Sequence, residues 1–292
     1  MSHEPVLNEQ VVALLVSRPG GIYLDGTVGM GGHAARVLKA AGESAQLVAL
    51  DKDPEALHEA EASLQRFKRQ VIFKQAGFEE MGRVLDELKI AQVDGVLLDC
   101  GVSSMQLDRP ERGFSFRNDG PLNMQFDPSG NLPASELVNR ENESSLADIL
   151  FKYGQERYAK RIARQIARSR PINGTAQLSR CVEQAMGPAA RRGKIHPATR
   201  TFQALRIAVN SELGALEAAV PQAIERLVPK GRVVVLAYHS LEDRIVKQTF
   251  REQAKQGKLE ILTKRPMRPE ETEVSANPRA RSARLRAGER IG

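Results

Sequence analysis

The chain has 292 residues, of which 41% are hydrophobic and 27% charged, as in ordinary folded proteins; 4% aromatics and no Trp argue against a sugar-stacking surface. The longest apolar runs, residues 11–16 and 233–238, fall far short of the roughly 20 residues a membrane helix needs, and no basic start with a following apolar stretch marks a secretory signal. Cys100 and Cys181 offer neither a disulfide framework nor a zinc spacing, so a reduced, cytoplasmic protein with no membrane and no metal is expected. The net charge of +7 is unevenly spread. Residues 1–149 hold 14 Lys/Arg against 23 Asp/Glu, whereas residues 150–210 hold 13 against 2, and residues 264–292 hold 8 against 4. This asymmetry predicts a small-ligand site in the first part and a grip on a polyanion in the middle and tail.

Residues 22–25, 46–51, 71–74 and 93–99 are short runs of branched apolar residues bounded by turn formers, which predicts four strands. Between them residues 32–41, 54–67 and 78–88 have helical apolar spacing, and Pro54 after Asp53 marks a first turn. The alternation predicts parallel βαβ units. Residues 108–133 break it, because Gly113-Phe114-Ser115-Phe116 and Asp119-Gly120-Pro121 preclude regular structure. A helical stretch follows, with a helix predicted over 155–169 that sets Arg157, Arg161, Arg164 and Arg168 on one face and Ala159, Ile162, Ala163 and Ile166 on the other. A solvated face is one explanation of that stripe. Arginines without interleaved acids repel one another, however, and Arg191, Arg192, Lys194 and Arg200 extend the run, so phosphate binding is the expectation. The sheet resumes at 232–238, followed by a helix over 241–253 and strands over 259–263 and 282–286.

Two features point to a nucleoside cofactor. In Tyr23-Leu24-Asp25-Gly26-Thr27-Val28-Gly29-Met30-Gly31-Gly32-His33 an apolar strand ends in an acid and turns through glycines into a helix, letting backbone approach a ligand closely. Asp51 closes the next strand, where a carboxylate can accept ribose hydroxyls. NAD and S-adenosyl-L-methionine both suit such a site. NAD needs a phosphate cradle, which Asp25 would oppose with like charge; the sulfonium and ammonium of S-adenosyl-L-methionine suit Asp25, Asp51 and Asp99 at three strand ends. S-adenosyl-L-methionine is therefore expected, with an NAD-linked oxidoreductase as the alternative. Thr27 stands where the usual Asp-x-Gly-x-Gly-x-Gly turn of methyltransferases has its first glycine.

Longer motifs narrow the reading: His3-Glu4-Pro5-Val6-Leu7, the turn at 25–33, and residues 97–108, 113–127, 153–163, 196–206, 239–247 and 277–281. Together they resemble the bacterial ribosomal RNA cytosine-N4 methyltransferases, the RsmH or MraW family, over nearly the whole chain. The resemblance implies an α/β fold, a Rossmann-like class I methyltransferase sheet with an inserted, mostly helical subdomain. Residues 1–107 and 216–292 would form the cofactor-binding domain and residues 108–215 an RNA-substrate subdomain. The implied reaction moves a methyl group from S-adenosyl-L-methionine to the exocyclic N4 amine of a cytosine in the decoding region of 16S rRNA, within the assembled small subunit. Gly31, Gly32 and His33 would contact the cofactor, Asp51 its ribose and Phe78 the neighbourhood of the adenine, with Asp99 and Gln106 completing the site. Met105, Cys100, Asn123 and Tyr238 depart from the family's usual Pro, Leu, Asp and Phe.

An exocyclic amine is a poor nucleophile, so alignment with the methyl group supplies much of the catalysis. Asp99, Ser103 and Ser104 after the fourth strand, with Tyr238 and His239 after the fifth, are the candidate catalytic residues, since ligands bind at the carboxyl ends of such strands. Ser103, Ser104 and His239 equally suit helix caps. Cys100 admits carbon-5 chemistry through a thiolate, but an adjacent acid disfavours ionisation and a free cysteine is usually a small buried hydrophobe.

Overall fold

The computed structural model describes residues 5–130, 132–187 and 195–292. The chain divides into two compact units, Met1–Gly101 with Leu213–Gly292, and Val102–Glu212. The sequence boundaries at 107/108 and 215/216 lie a few residues later, because the short helix that opens the second unit begins at Ser104.

The first unit carries α1 (Asn8–Leu15), β1 (Ile22–Asp25), α2 (Gly32–Ala41), β2 (Gln46–Asp51), α3 (Pro54–Ser63), β3 (Val71–Gln75), α4 (Met81–Glu87) and β4 (Val93–Asp99). The second unit follows, with α5 (Ser104–Asp108), α6 (Ala134–Arg140), α7 (Glu143–Gly154), α8 (Ala159–Arg168), α9 (Thr175–Met186) and α10 (Thr199–Asn210). After α11 (Glu212–Glu225), the chain completes the first unit with β5 (Leu227–Ala237), α12 (Ser240–Lys255), β6 (Leu259–Ile261), α13 (Glu271–Ala276) and β7 (Arg284–Arg290). The seven strands form one sheet in the order β3-β2-β1-β4-β5-β7-β6. The first five are parallel, and β7 runs antiparallel to both β5 and β6. This is a Rossmann-like, mixed α/β arrangement.

Near-continuous apolar strands such as β4 are buried because a parallel sheet is covered on both faces. One face packs Leu47, Leu97, Val234 and Leu285 under α1 and α2; the other packs Val48, Val96, Leu98 and Val235 under α4, α11 and α12. The second unit has its own core, in which Ile162, Ala163 and Ile166 of α8 meet Leu150, Leu178 and Leu205.

Several elements differ from their predicted ranges for local reasons. The predicted helix over 54–67 ends at Ser63 and tightens into a 3-10 turn, Gln65–Phe67, as Leu64 is drawn into the core. The one over 78–88 opens as a 3-10 turn, Phe78–Glu80, with the Glu80 carboxylate accepting the Gly77 N–H at 3.0 Å. β5 begins at Leu227 rather than 232, because a bulge between Val93 and Gly95 absorbs Pro229, Lys230 and Gly231 and lets Leu227 pair with Val93. β7 runs later than 282–286, since Pro278–Ser282 forms a 3-10 turn and pairing with β5 extends to Glu289. The predicted helix over 155–169 is shorter, starting only at Ala159 after a turn. Gln155 adopts a left-handed conformation, φ 50°, closing α7, and the Glu156 carboxylate accepts the Tyr158 N–H at 2.9 Å before α8 starts. Arg157 is therefore in a turn, off the stripe.

Candidate active site

Because β2, β1 and β4 are parallel neighbours, their terminal acids Asp51, Asp25 and Asp99 emerge at one edge of the sheet. The turn after β1 is stitched to both flanking strands: the Gly26 N–H donates to Leu97 O and the Val28 N–H to Leu50 O, each at 2.9 Å. Gly31 caps α2 at φ +81°, where a Cβ would stand 2.7 Å from Ser63 Oγ, so no side chain fits there.

The three acids have different environments. Asp25 is 2% exposed and its Oδ1 accepts the Thr27 N–H at 3.1 Å. Burial, only partly offset by that bond, pushes its carboxyl up to about 7. The Thr27 hydroxyl accepts the Asp99 N–H at 2.7 Å and lies 3.5 Å from Asp25 Oδ1, tying the ends of β1 and β4 together. This corrects the expectation that Asp25 offers a ligand its negative charge: its carboxyl is engaged in shaping the turn. Asp51 is less enclosed, accepting the Gly29 N–H at 2.9 Å and the Asp53 N–H at 3.0 Å. Burial, again against those bonds, raises it to about 6.

Asp99 gathers the remaining groups. Its Oδ2 lies 3.6 Å from His33 Nε2, and Tyr238 shares a side-chain hydrogen bond with it. Burial first, and then the Asp99 charge, hold the Tyr238 phenol well above its usual range, so it is a hydrogen-bond donor at any working pH. Gly101 makes room for the ring, since a Cβ there would stand 2.8 Å from Tyr238 Cε2. Among the described residues, both ring nitrogens of the buried His33, and Asp99 Oδ1, lack a hydrogen-bond partner. Buried polar atoms are rarely left so, and a ligand with donors and acceptors at this edge would satisfy them.

His239 serves another purpose: its Nδ1 accepts the Glu242 N–H at 3.4 Å and caps α12. The Glu242 carboxylate accepts the Tyr238 N–H at 2.7 Å and the His239 N–H at 3.2 Å, fixing the turn that presents Tyr238. Phe78 is half-buried beside Gly26. The first unit thus brings together Gly31, Gly32, His33, Asp51, Phe78, Asp99 and Tyr238 around the turn. Ser103, Ser104 and Gln106 belong to the second unit, where Ser103 Oγ accepts the Gln106 N–H at 3.2 Å and Gln106 Oε1 accepts the Ser103 N–H at 3.0 Å, a reciprocal cap of α5. Cys100 packs against the apolar core beneath β4.

Within the second unit Arg157, Arg161, Arg164, Arg168 and Arg200 are exposed. The stripe is not free of counter-charge, because Glu143 of α7 lies 3.3 Å from Arg164 Nε, an acid that the sequence of α8 alone could not show. Arg200 Nη1 donates to Gln155 O at 3.2 Å. Arg191, Arg192 and Lys194 lie outside the described residues. Sequence reasoning noted Thr27 only as a departure from the glycine motif, without its hydroxyl's role, and overlooked Glu242. The His239-x-x-Glu242 spacing ahead of a helix was the available signal for Glu242, as the non-glycine at the first glycine position was for Thr27.

The chain matches the MraW methylase family over residues 1–291. It belongs to that family. It is similar to the ribosomal RNA small subunit methyltransferase H of Heliobacterium modesticaldum, with 47% identity covering 99% of this chain and 98% of the relative. The protein of that name from Cyanothece sp. is 50% identical, covering 99% and 95%. A methyltransferase homolog protein from Pyrococcus horikoshii superposes with a TM-score of 0.47 at 16% identity, covering 98% of this chain and 66% of that one. The methylase takes S-adenosyl-L-methionine as its cofactor, and the NAD reading falls with the family assignment. The residues present fit that cofactor: Asp51 is a partly open acceptor, the glycine turn admits close approach, and His33 and Asp99 hold unsatisfied polar atoms.

Proposed function

We propose that this methylase transfers a methyl group to the exocyclic N4 amine of a cytosine in the decoding region of 16S rRNA, with the assembled small subunit as substrate. The observation that carries the reading is the Asp99–Tyr238–His33 cluster at the sheet edge, in a chain alike over 99% of its length to proteins named as ribosomal RNA small subunit methyltransferases.

When bound, the cofactor supplies an electrophilic methyl group on a sulfonium. Gly31, Gly32 and His33 line its approach, Asp51 accepts its ribose hydroxyls and Phe78 flanks the adenine. Asp99 accepts an N–H of the target amine and, with Tyr238 donating to it, keeps that nitrogen aligned; alignment of this kind supplies on the order of 7–11 kcal/mol. Ser103, Ser104 and His239 lie next to these residues in sequence, and His239 acts by capping the helix that presents Tyr238. The base enters unstacked, as its reacting atom must reach a pocket. Exposed Arg157, Arg161, Arg164, Arg168 and Arg200, with Arg191, Arg192 and Lys194, hold the phosphates.

Nucleoside mass spectrometry of 16S rRNA from cells with and without the gene tests this. Loss of an N4-methylated cytidine is expected; loss of a carbon-5 methyl instead would replace the reading with thiolate chemistry at Cys100.

A further inference from the structure

A cavity of about 550 Å³ opens between α12, β6 and β7, within the first unit. Four cationic side chains line it, Lys247 and Arg251 from α12, Arg286 from β7 and Lys264 just after β6, against the single acid Glu260. Phe250 and Ile261 form apolar lining. Lys247 and Arg251 are four residues apart on one helix face, an arrangement of like charges that disfavours itself unless an anion is present. Lys247, Arg251 and Lys264 are exposed, and among the described residues none of the three forms an ion pair. Arg286 is only 7% exposed and its Nε is held at 2.7 Å by Asp243, which also lies 3.4 Å from Arg284. One carboxylate between two guanidiniums leaves the base of the cavity positive.

The position matters as much as the charge. α12 starts directly after Tyr238 and His239, so at 1.5 Å per residue Lys247 and Arg251 lie roughly 10 and 16 Å along the same helix from its start. A strand whose target base reaches the sheet edge needs only a few nucleotides to arrive at the cavity.

We infer that this cavity seats phosphodiester groups of the RNA substrate, as a second anchor separate from the arginines of the helical unit. The inference rests on RNA being the substrate. Three cations presented over an apolar lining suit a chain of phosphates; a lone phosphate would engage only part of them.

The test uses the full chain with Lys247→Ala, Arg251→Ala and Lys264→Ala combined, and a labelled single-stranded RNA of about 20 nucleotides titrated at several salt concentrations. The slope of log K against log salt should fall by about 2, at roughly 0.7 for each phosphate that is no longer neutralised, with cofactor affinity and Tm unchanged. The charge-conserving set Lys247→Arg, Arg251→Lys and Lys264→Arg should recover the slope. An unchanged slope overturns the inference, as does a reduced slope that the charge-conserving set fails to rescue. Vesicles containing phosphatidylglycerol and inorganic phosphate serve as further probes; binding to either that disappears in the variant while the RNA slope persists would reassign the cavity. Methyl incorporation into small subunits by the unaltered protein separates the two proposals: methylation with an unchanged RNA slope in the variant sinks only the cavity, and no methylation of any RNA sinks the substrate reading itself.

Discussion

The two units handle charge in opposite ways. In the first, the acids are held in place: Asp25 is enclosed and Asp51 partly open, both accept backbone N–H groups, and burial raises both. In the second, the functional cations are exposed, and Arg164 has Glu143 within 3.3 Å. A small cofactor requires a fixed cradle, whereas a polyanion is held by many weak, screened contacts. The first kind of site should fail abruptly when one residue changes, and the second should weaken by degrees.

The sharpest break in that contrast is Asp99→Asn, which keeps the shape and removes the charge. Methyl transfer should fall about 10²- to 10⁴-fold, the range for a missing proton acceptor, in single-turnover assays. A drop of only about threefold would remove Asp99 from the reaction. Next, Arg157→Ala with Arg161→Ala should lower the salt slope of RNA binding by about 1.4, and Arg164→Ala alone by less than about 0.7, since Glu143 already shields it. Equal decreases at all three would mean that the ion pair opens on binding.

Asp51 gives a pH signature. Its carboxyl sits at about 6, and ribose hydroxyls donate best to the ionised form, so calorimetric affinity for S-adenosyl-L-methionine should strengthen as pH rises through that value. Asp51→Asn should weaken binding and flatten the profile; a retained profile would assign it to another group. Asp25 acts on stability instead. Its folded value of about 7 lies above the ordinary 3.8, so its contribution is fully present below about pH 4 and lost as pH rises through 7. Asp25→Asn should abolish that part of the decline in denaturant midpoint between those limits, with little change in cofactor affinity. The smallest effect belongs to Cys100→Ala, which should keep most methyl transfer.

The sheet and the cofactor turn were largely legible in the sequence. A strand, a glycine turn and a second strand-end acid are local patterns with a fixed spacing, and each strand buried on both faces shows an apolar run. What sequence did not reveal depends on distant partners. Asp25 reads as an exposed ligand group until its enclosure is seen, Arg164 reads as unopposed until α7 brings Glu143 to it, and residues 155–169 read as one helix although Gln155 breaks it with a left-handed residue. β5 reads as starting at residue 232, yet a bulge carries Pro229-Lys230-Gly231 inside it.

The strand order has a consequence for biogenesis. β7 lies between β5 and β6, so the penultimate position of the sheet is filled by a segment synthesised after both of its neighbours. Until residues 284–290 leave the ribosome, one edge of β5 has no partner and β6 has no place to dock. During that interval the nascent chain presents an open strand edge, the kind of surface that recruits chaperones or neighbouring chains, and the docking of β7 closes it.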